Sequence, residues 1–245
     1  MNMKYWIVLF GTCLIFGTAL MPDLSADVRP LAFIWGYKPE VKIMNRADKR
    51  NLEAKKAEQL FSGDTLATGA NGYAAVRFID KSLAKVKPNS LLILSGSVDN
   101  RSPRSAASRI LLNMGSIFVQ IEPRNQRNFE VATSKAVAAV KGTEFGAVSG
   151  PDGSSMFWVK EGEVVVTVKQ TGQKVSLTTG MFGRVPKEGD AIETGHLSPQ
   201  QLRERLRVYD AFDRITTPHN LKLHFRNDDG QRKDIDLDYY ENGNR

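Results

Sequence analysis

Cysteine is almost missing from this sequence. Cys13 is the only one in 245 residues, and it lies inside an apolar run near the N-terminus. No intramolecular disulfide can form, and the rest of the chain offers neither a thiol nucleophile nor a cysteine-held metal. Histidine is also scarce: His196, His219 and His224 all fall in the C-terminal part. None pairs at His-x-His or His-x₃-His spacing, so a zinc site is not expected. Asp234-Ile-Asp-Leu-Asp238 starts like a calcium loop. Such a loop needs glycine at its sixth position and glutamate at its twelfth, where this chain has Tyr239 and Arg245.

The usual catalytic signatures are missing as well. The chain has no Gly-x-Ser-x-Gly elbow, no phosphate-cradling glycine loop and no His-Glu-x-x-His helix. Glu144 and Glu161 remain as a conceivable carboxylate pair for cleaving an envelope polysaccharide. Each sits beside a turn glycine, where a structural role is available. The expectation is a protein that is not an enzyme, with no cofactor and no metal.

What is present begins with the first residues. Lys4 precedes Tyr5 to Met21, an apolar and uncharged run, and Asp23-Leu-Ser-Ala26 follows. This is the plan of a secretory signal with cleavage after Ala26, or after Ala19 as second choice. The run is at the short edge of what spans a bilayer, so an uncleaved anchor facing the periplasm is the alternative. The expected location is therefore exported and periplasmic, with membrane contact only if the segment stays uncleaved.

The net charge is +7. A basic exported chain can meet anionic lipid, cell-wall polymer or an acidic protein face. Arg101, Arg104, Arg109, Arg124 and Arg127 form the densest basic region, but no stacking aromatics interleave them. Nucleic acid is excluded as a partner on that ground.

Four segments are expected: 1–26 the signal, 27–60 an entry segment, 61–190 a β-domain, and 196–245 a helix plus hairpin. In the entry segment Phe33-Ile-Trp35 reads as a strand and Asn45 to Gln59 as a solvated loop or short helix. From Phe61 the period is two. Ala74, Val76 and Phe78 alternate, as do Ile117, Val119 and Ile121, then Val164, Val166 and Val168. Corners fall at Asp80-Lys-Ser82, Glu161-Gly162, Thr171-Gly172 and Gly180. Ser95 to Ser108 reads as a loop. The fold class is all-β: a short-stranded roll, solenoid-like array or sandwich.

Ser198-Pro-Gln-Gln201 predicts a helix start with a capping box. Leu202, Leu206, Tyr209, Phe212 and Ile215 then form one apolar stripe, expected to cover an open face or end of the β-domain. Leu221 to Tyr239 reads as a terminal hairpin turning at Asn227-Asp-Asp-Gly230.

Phe61 to Pro186 resembles the FecR domain family. The pieces that carry the resemblance occur in the family's order. They are Gly63-Asp64-Thr-Leu-Ala-Thr-Gly69, Ala74-Ala-Val-Arg-Phe-Ile-Asp80, Leu112-Asn-Met-Gly115, Phe129-Glu-Val-Ala-Thr133, Ala136 to Phe145, and Val159-Lys-Glu-Gly162. The residues it marks as a structural signature are Gly63, Asp64, Gly69, Gly142, Thr143, Glu144, Phe145, Glu161 and Gly162. Gly142 is expected to form a corner, with Val137, Val140 and Phe145 packing inward. Lys81 and Lys141 depart from the family's usual Gly and Arg. The resemblance implies a non-catalytic extracytoplasmic β-domain that binds a protein or cell-wall polymer in envelope sensing or signalling. The alternative is a membrane-anchored signalling protein of the same type. Because only Met1 to Lys4 precedes the apolar run, the cytoplasmic segment that controls a sigma factor in the family's inner-membrane regulators is not expected here.

Overall fold

The computed structural model describes residues 29–47, 49–97, 107–122, 129–210 and 212, and the backbone of 219–226 and 232–239. The expected signal, the loop tip at 98–106, Ile215 and the tip of the terminal hairpin lie outside the described residues. No helix among those described is long and apolar enough to cross a membrane.

The elements run β1 (Ala32–Lys38), β2 (Val41–Met44), β3 (Asn51–Glu53), β4 (Gln59–Leu60), β5 (Thr65–Thr68), β6 (Tyr73–Phe78), β7 (Leu83–Val86), β8 (Leu91–Ser97) and β9 (Ala107–Gln120). They continue with β10 (Phe129–Ala132), β11 (Ala136–Val140), β12 (Glu144–Ser149), β13 (Ser155–Glu161), β14 (Glu163–Val168), β15 (Lys174–Thr178), β16 (Met181–Val185) and β17 (Glu193–His196). Helix α1 (Pro199–Arg207) and the hairpin β18 (His219–Arg226) with β19 (Arg232–Tyr239) close the chain.

Two facing layers emerge from the pairings. The first has the order β4-β1-β6-β7-β9-β12-β13-β16-β17. The second has the order β3-β2-β5-β8-β9-β10-β11-β14-β15. Strand β9 belongs to both. Its first part pairs with β8 and β10, and its part from Gly115 onward pairs with β12 and β7. Gly115 makes the change of layer, with φ +101°. A Cβ there would lie 2.1 Å from Ser90 Oγ and 2.5 Å from Ser90 Cα, so no larger residue fits. Every described pairing is antiparallel except β9 with β10.

Hairpins alternate between the layers: β6–β7 and β12–β13 in the first, β10–β11 and β14–β15 in the second. Alternating side chains then send every second residue into a shared core. Val76, Val119, Phe145 and Val159 come from the first layer, and Ile110, Val131, Val140 and Val166 from the second; all are buried. Phe78 and Phe129 meet across the layers edge to face at 5.0 Å, a preferred aromatic geometry. The fold is an all-β sandwich-like roll with one helix.

Three expectations need correction. The stretch from Ser95 to Ser108 is not all loop: β8 runs to Ser97 and β9 starts at Ala107, and Ser95, Gly96 and Ser97 pair with Arg109, Ser108 and Ala107. Asn45 to Gln59 is neither helix nor simple loop: it contains β3 and the first residue of β4. Its charged residues hid the pairing, because β3 is an edge strand whose Asn51 and Glu53 face solvent. Edge strands carry charge without losing their ladder. Val137 does not pack inward. Ala136, Ala138 and Val140 take the core face, and an odd offset places Val137 on the other one, half-buried.

Helix α1 follows its sequence signals. Ser198 Oγ accepts from the Gln201 N–H and Gln201 Oε1 accepts from the Ser198 N–H, closing the capping box. Tyr209 and Phe212, just past the helix, are buried against the outer face of the first layer, with Leu202 and Leu206 packed beside them.

Candidate functional site

The outer faces of the two layers differ. On the first, Phe118, Trp158, Tyr209 and Phe212 form a second apolar cluster beneath the helix segment. Trp158 stacks on Phe118 at 5.4 Å with a 14° interplanar angle. The indole lies directly over Gly146, where a Cβ would sit 2.1 Å from it. Tyr209 hydrogen-bonds Ser116 Oγ at 2.8 Å. Burial of its ring pushes the phenol pKa up, so it stays protonated. A groove of about 490 Å³ runs between this face and α1, bordered by Lys87, Glu204 and Val208.

On the second layer no helix covers the face among the described residues. Thr65, Ile93, Leu111, Ala132, Val137 and Thr167 stand in cross-strand register and form one row across it. The central part of that row floors a groove of about 490 Å³. Three cations border it. Arg46, on the loop after β2, packs against Gly63, and Arg109 extends from β9. Lys169, after β14, donates to the Thr133 carbonyl at 2.5 Å. Desolvation lowers the Lys169 pKa, and the positive charge of Arg109 adds to the shift. Arg109 also pairs with Glu130 beside the groove.

The signature residues separate into local corners. Asp64 is buried; its carboxylate accepts from the Phe61 N–H at 2.8 Å and the Arg46 N–H at 3.1 Å. It ties down the loop that carries one groove cation. Gly63 has φ +95° and leaves room for the Arg46 side chain. Gly69 lies against Glu40, whose carboxylate accepts from Asn71. Gly142 is left-handed at φ +57°, and the buried Thr143 after it packs against Gly162, itself at φ +91°. Phe145 is buried in the core.

Glu144 and Glu161 are cross-strand partners at a register shift. Glu144 accepts from Lys160 Nζ at 2.5 Å and from Gln120 Nε2 at 3.2 Å, so this carboxylate is a strut between neighbouring strands. Glu161 is exposed. Neither residue lines either groove. Among the described residues no cluster of His, Cys, Asp and Glu could hold a metal. The sequence reading missed Arg46, Ile93, Leu111 and Lys169. They are ordinary strand and loop residues, and only the strand register brings them together.

The class defined by this architecture is a two-layered, mostly antiparallel β-domain with a groove on the outer face of each layer. Residues 64–165 match the family model described as FecR protein. Two crystal structures from Parabacteroides distasonis ATCC 8503, described as a candidate anti-sigma factor, are similar at 15% identity. They superpose with TM-scores of 0.49 and 0.48 over 58% of this chain. The chain spans 63% and 64% of those chains' length. No curated protein matches it.

Proposed function

We propose that this chain is an exported FecR-domain adaptor that binds a protein partner in cell-envelope signalling, through the outer face of its second layer. The observation that carries the reading is the asymmetry of the two faces. The first layer's aromatic face is packed under the segment around α1, and the groove left there is bordered by charges of both signs, Lys87, Arg205 and Glu204. The second presents an apolar row bordered by cations. Half-buried apolar side chains beside charged groups are the composition of a binding surface with a polar rim. The domain boundaries proposed for the chain remain 27–60, 61–190 and 196–245, with the first of these woven into both layers through β1 and β2.

The test is cross-linking of the tagged full chain expressed in its own envelope, followed by competition with purified chain. The reading expects a saturable adduct with one envelope protein. Recovery with cell-wall polymer alone, or no saturable adduct, overturns it. Intact-mass measurement of the exported protein reports whether it starts at Asp27.

A further inference from the structure

We infer that the groove on the second layer is a docking site for an extended acidic peptide segment, in which carboxylates flank a short apolar core. The inference rests on the adaptor reading above and names the partner's chemistry at that surface.

Geometry supplies the length. Ile93, Leu111, Ala132 and Val137 lie on four neighbouring strands in direct register. Three interstrand gaps make a floor about 14 Å long. An extended chain rises about 3.3 Å per residue, so four to five residues cover it. The floor is apolar: Ile93, Leu111 and Val137 are half-buried and Ala132 is buried. Apolar side chains of a docked segment would take their place against it, removing that surface from water.

Charge selects the occupant. Ser95 pairs with Arg109, and the Gly63 N–H donates to the neighbouring Leu94 carbonyl. Arg46, packed on Gly63, therefore enters from the same side of the row as Arg109. Lys169 enters from the other side, beside Thr133. Two described carboxylates lie beside this set: Glu130, engaged by Arg109, and the buried Asp64, which accepts from the Phe61 and Arg46 N–H groups. Three cations against two carboxylates thus stand on both sides of the apolar floor with a positive surplus. A segment with an acidic residue at each end of an apolar core complements both sides at once. Such complementarity sets specificity and association rate more than raw affinity.

The probes are fluorescein-labelled peptides added to the full chain and followed by anisotropy at low and high salt. One has the core Glu-Val-Leu-Val-Glu, one Lys-Val-Leu-Val-Lys, and one Glu-Ser-Gly-Ser-Glu. The first should bind at least tenfold more tightly than either other, and salt should weaken it. Lys169→Glu and Val137→Glu should each weaken it by at least tenfold. Lys169 is an exposed turn residue, so its variant carries the test if Val137→Glu fails to fold. Equal binding of the acidic and basic peptides, or binding unchanged by Lys169→Glu, overturns the inference. Equal binding of the Ser-Gly peptide, or full displacement by inorganic phosphate, indicates a simple anion site and overturns it too. If the variants lose the peptide but the envelope adduct persists, the partner docks elsewhere and only this inference falls. If the peptide binds and no envelope adduct forms, the adaptor reading falls alone.

Discussion

Gly146 is where one added methyl group should have the clearest consequence. Its φ is not in the left-handed region, so alanine is acceptable to the backbone. The nearest obstacle is Trp158: a Cβ at 146 would lie 2.1 to 2.3 Å from three atoms of the indole. The ring must move, and it is 2% exposed and stacked on Phe118. Overpacking of this kind costs about 1–3 kcal/mol. Loss of an aromatic pair adds about 0.5–1.5 kcal/mol. Gly146→Ala should therefore destabilise the protein by about 2–4 kcal/mol, a fall in Tm of several degrees. The assay is denaturant unfolding of a double-mutant cycle with Trp158→Leu. Trp158→Leu is itself costly, but once the indole is gone the alanine methyl has space. The cost of Gly146→Ala in that background should drop to below about 0.5 kcal/mol, as expected for residues in direct contact. An undiminished cost refutes the reasoning, because the glycine would then be required for a reason other than the ring.

Lys81 has φ +71° at the β6–β7 corner. Left-handed backbone costs a non-glycine residue about 1–2 kcal/mol, partly offset by the extra freedom glycine has when unfolded. Lys81→Gly should raise stability by up to about 1 kcal/mol while Lys81→Ala gives no gain, read by thermal unfolding. Asp64→Ala leaves the Phe61 and Arg46 N–H groups without their carboxylate, and should cost about 2–3 kcal/mol by denaturant unfolding; Asp64→Asn should cost less. Hydrogen bonds from the Asn71 backbone and then its side chain lower the Glu40 pKa. A lowered folded pKa means that stability is present above the unfolded value and lost as pH falls through the folded one. An NMR titration should place Glu40 below an ordinary glutamate, and Glu40→Gln should flatten acid-side stability.

Much of the fold was legible in the residues because period-2 alternation and turn chemistry are local. Ala74, Val76 and Phe78 declare an inward face, and Ser198 with Gln201 declares a helix start. The layer change at Gly115 was not legible, since it depends on Ser90 from a distant strand. The role of Gly146 was hidden for the same reason: its reason is Trp158, on the neighbouring strand. The signature residues drew attention to corners, which they build. The groove depends instead on register. Leu111 and Val137 flank Ala132 in one row only because β9 and β10 are parallel while β10 and β11 are antiparallel. No periodicity within one strand carries that information. Val137 was misplaced because its neighbour Val140, an odd number of residues away, shares its chemistry but not its face.

The central claim is that this protein works through the open face of its second layer. Photo-crosslinking tests it most directly, with a photoreactive residue placed singly at Val137 or at Val208 beside the α1 groove in the full chain in its native envelope. The account predicts a protein adduct from position 137 that Lys169→Glu abolishes, and none from position 208. An adduct from 208 alone, or one from 137 that ignores the charge reversal, would contradict it.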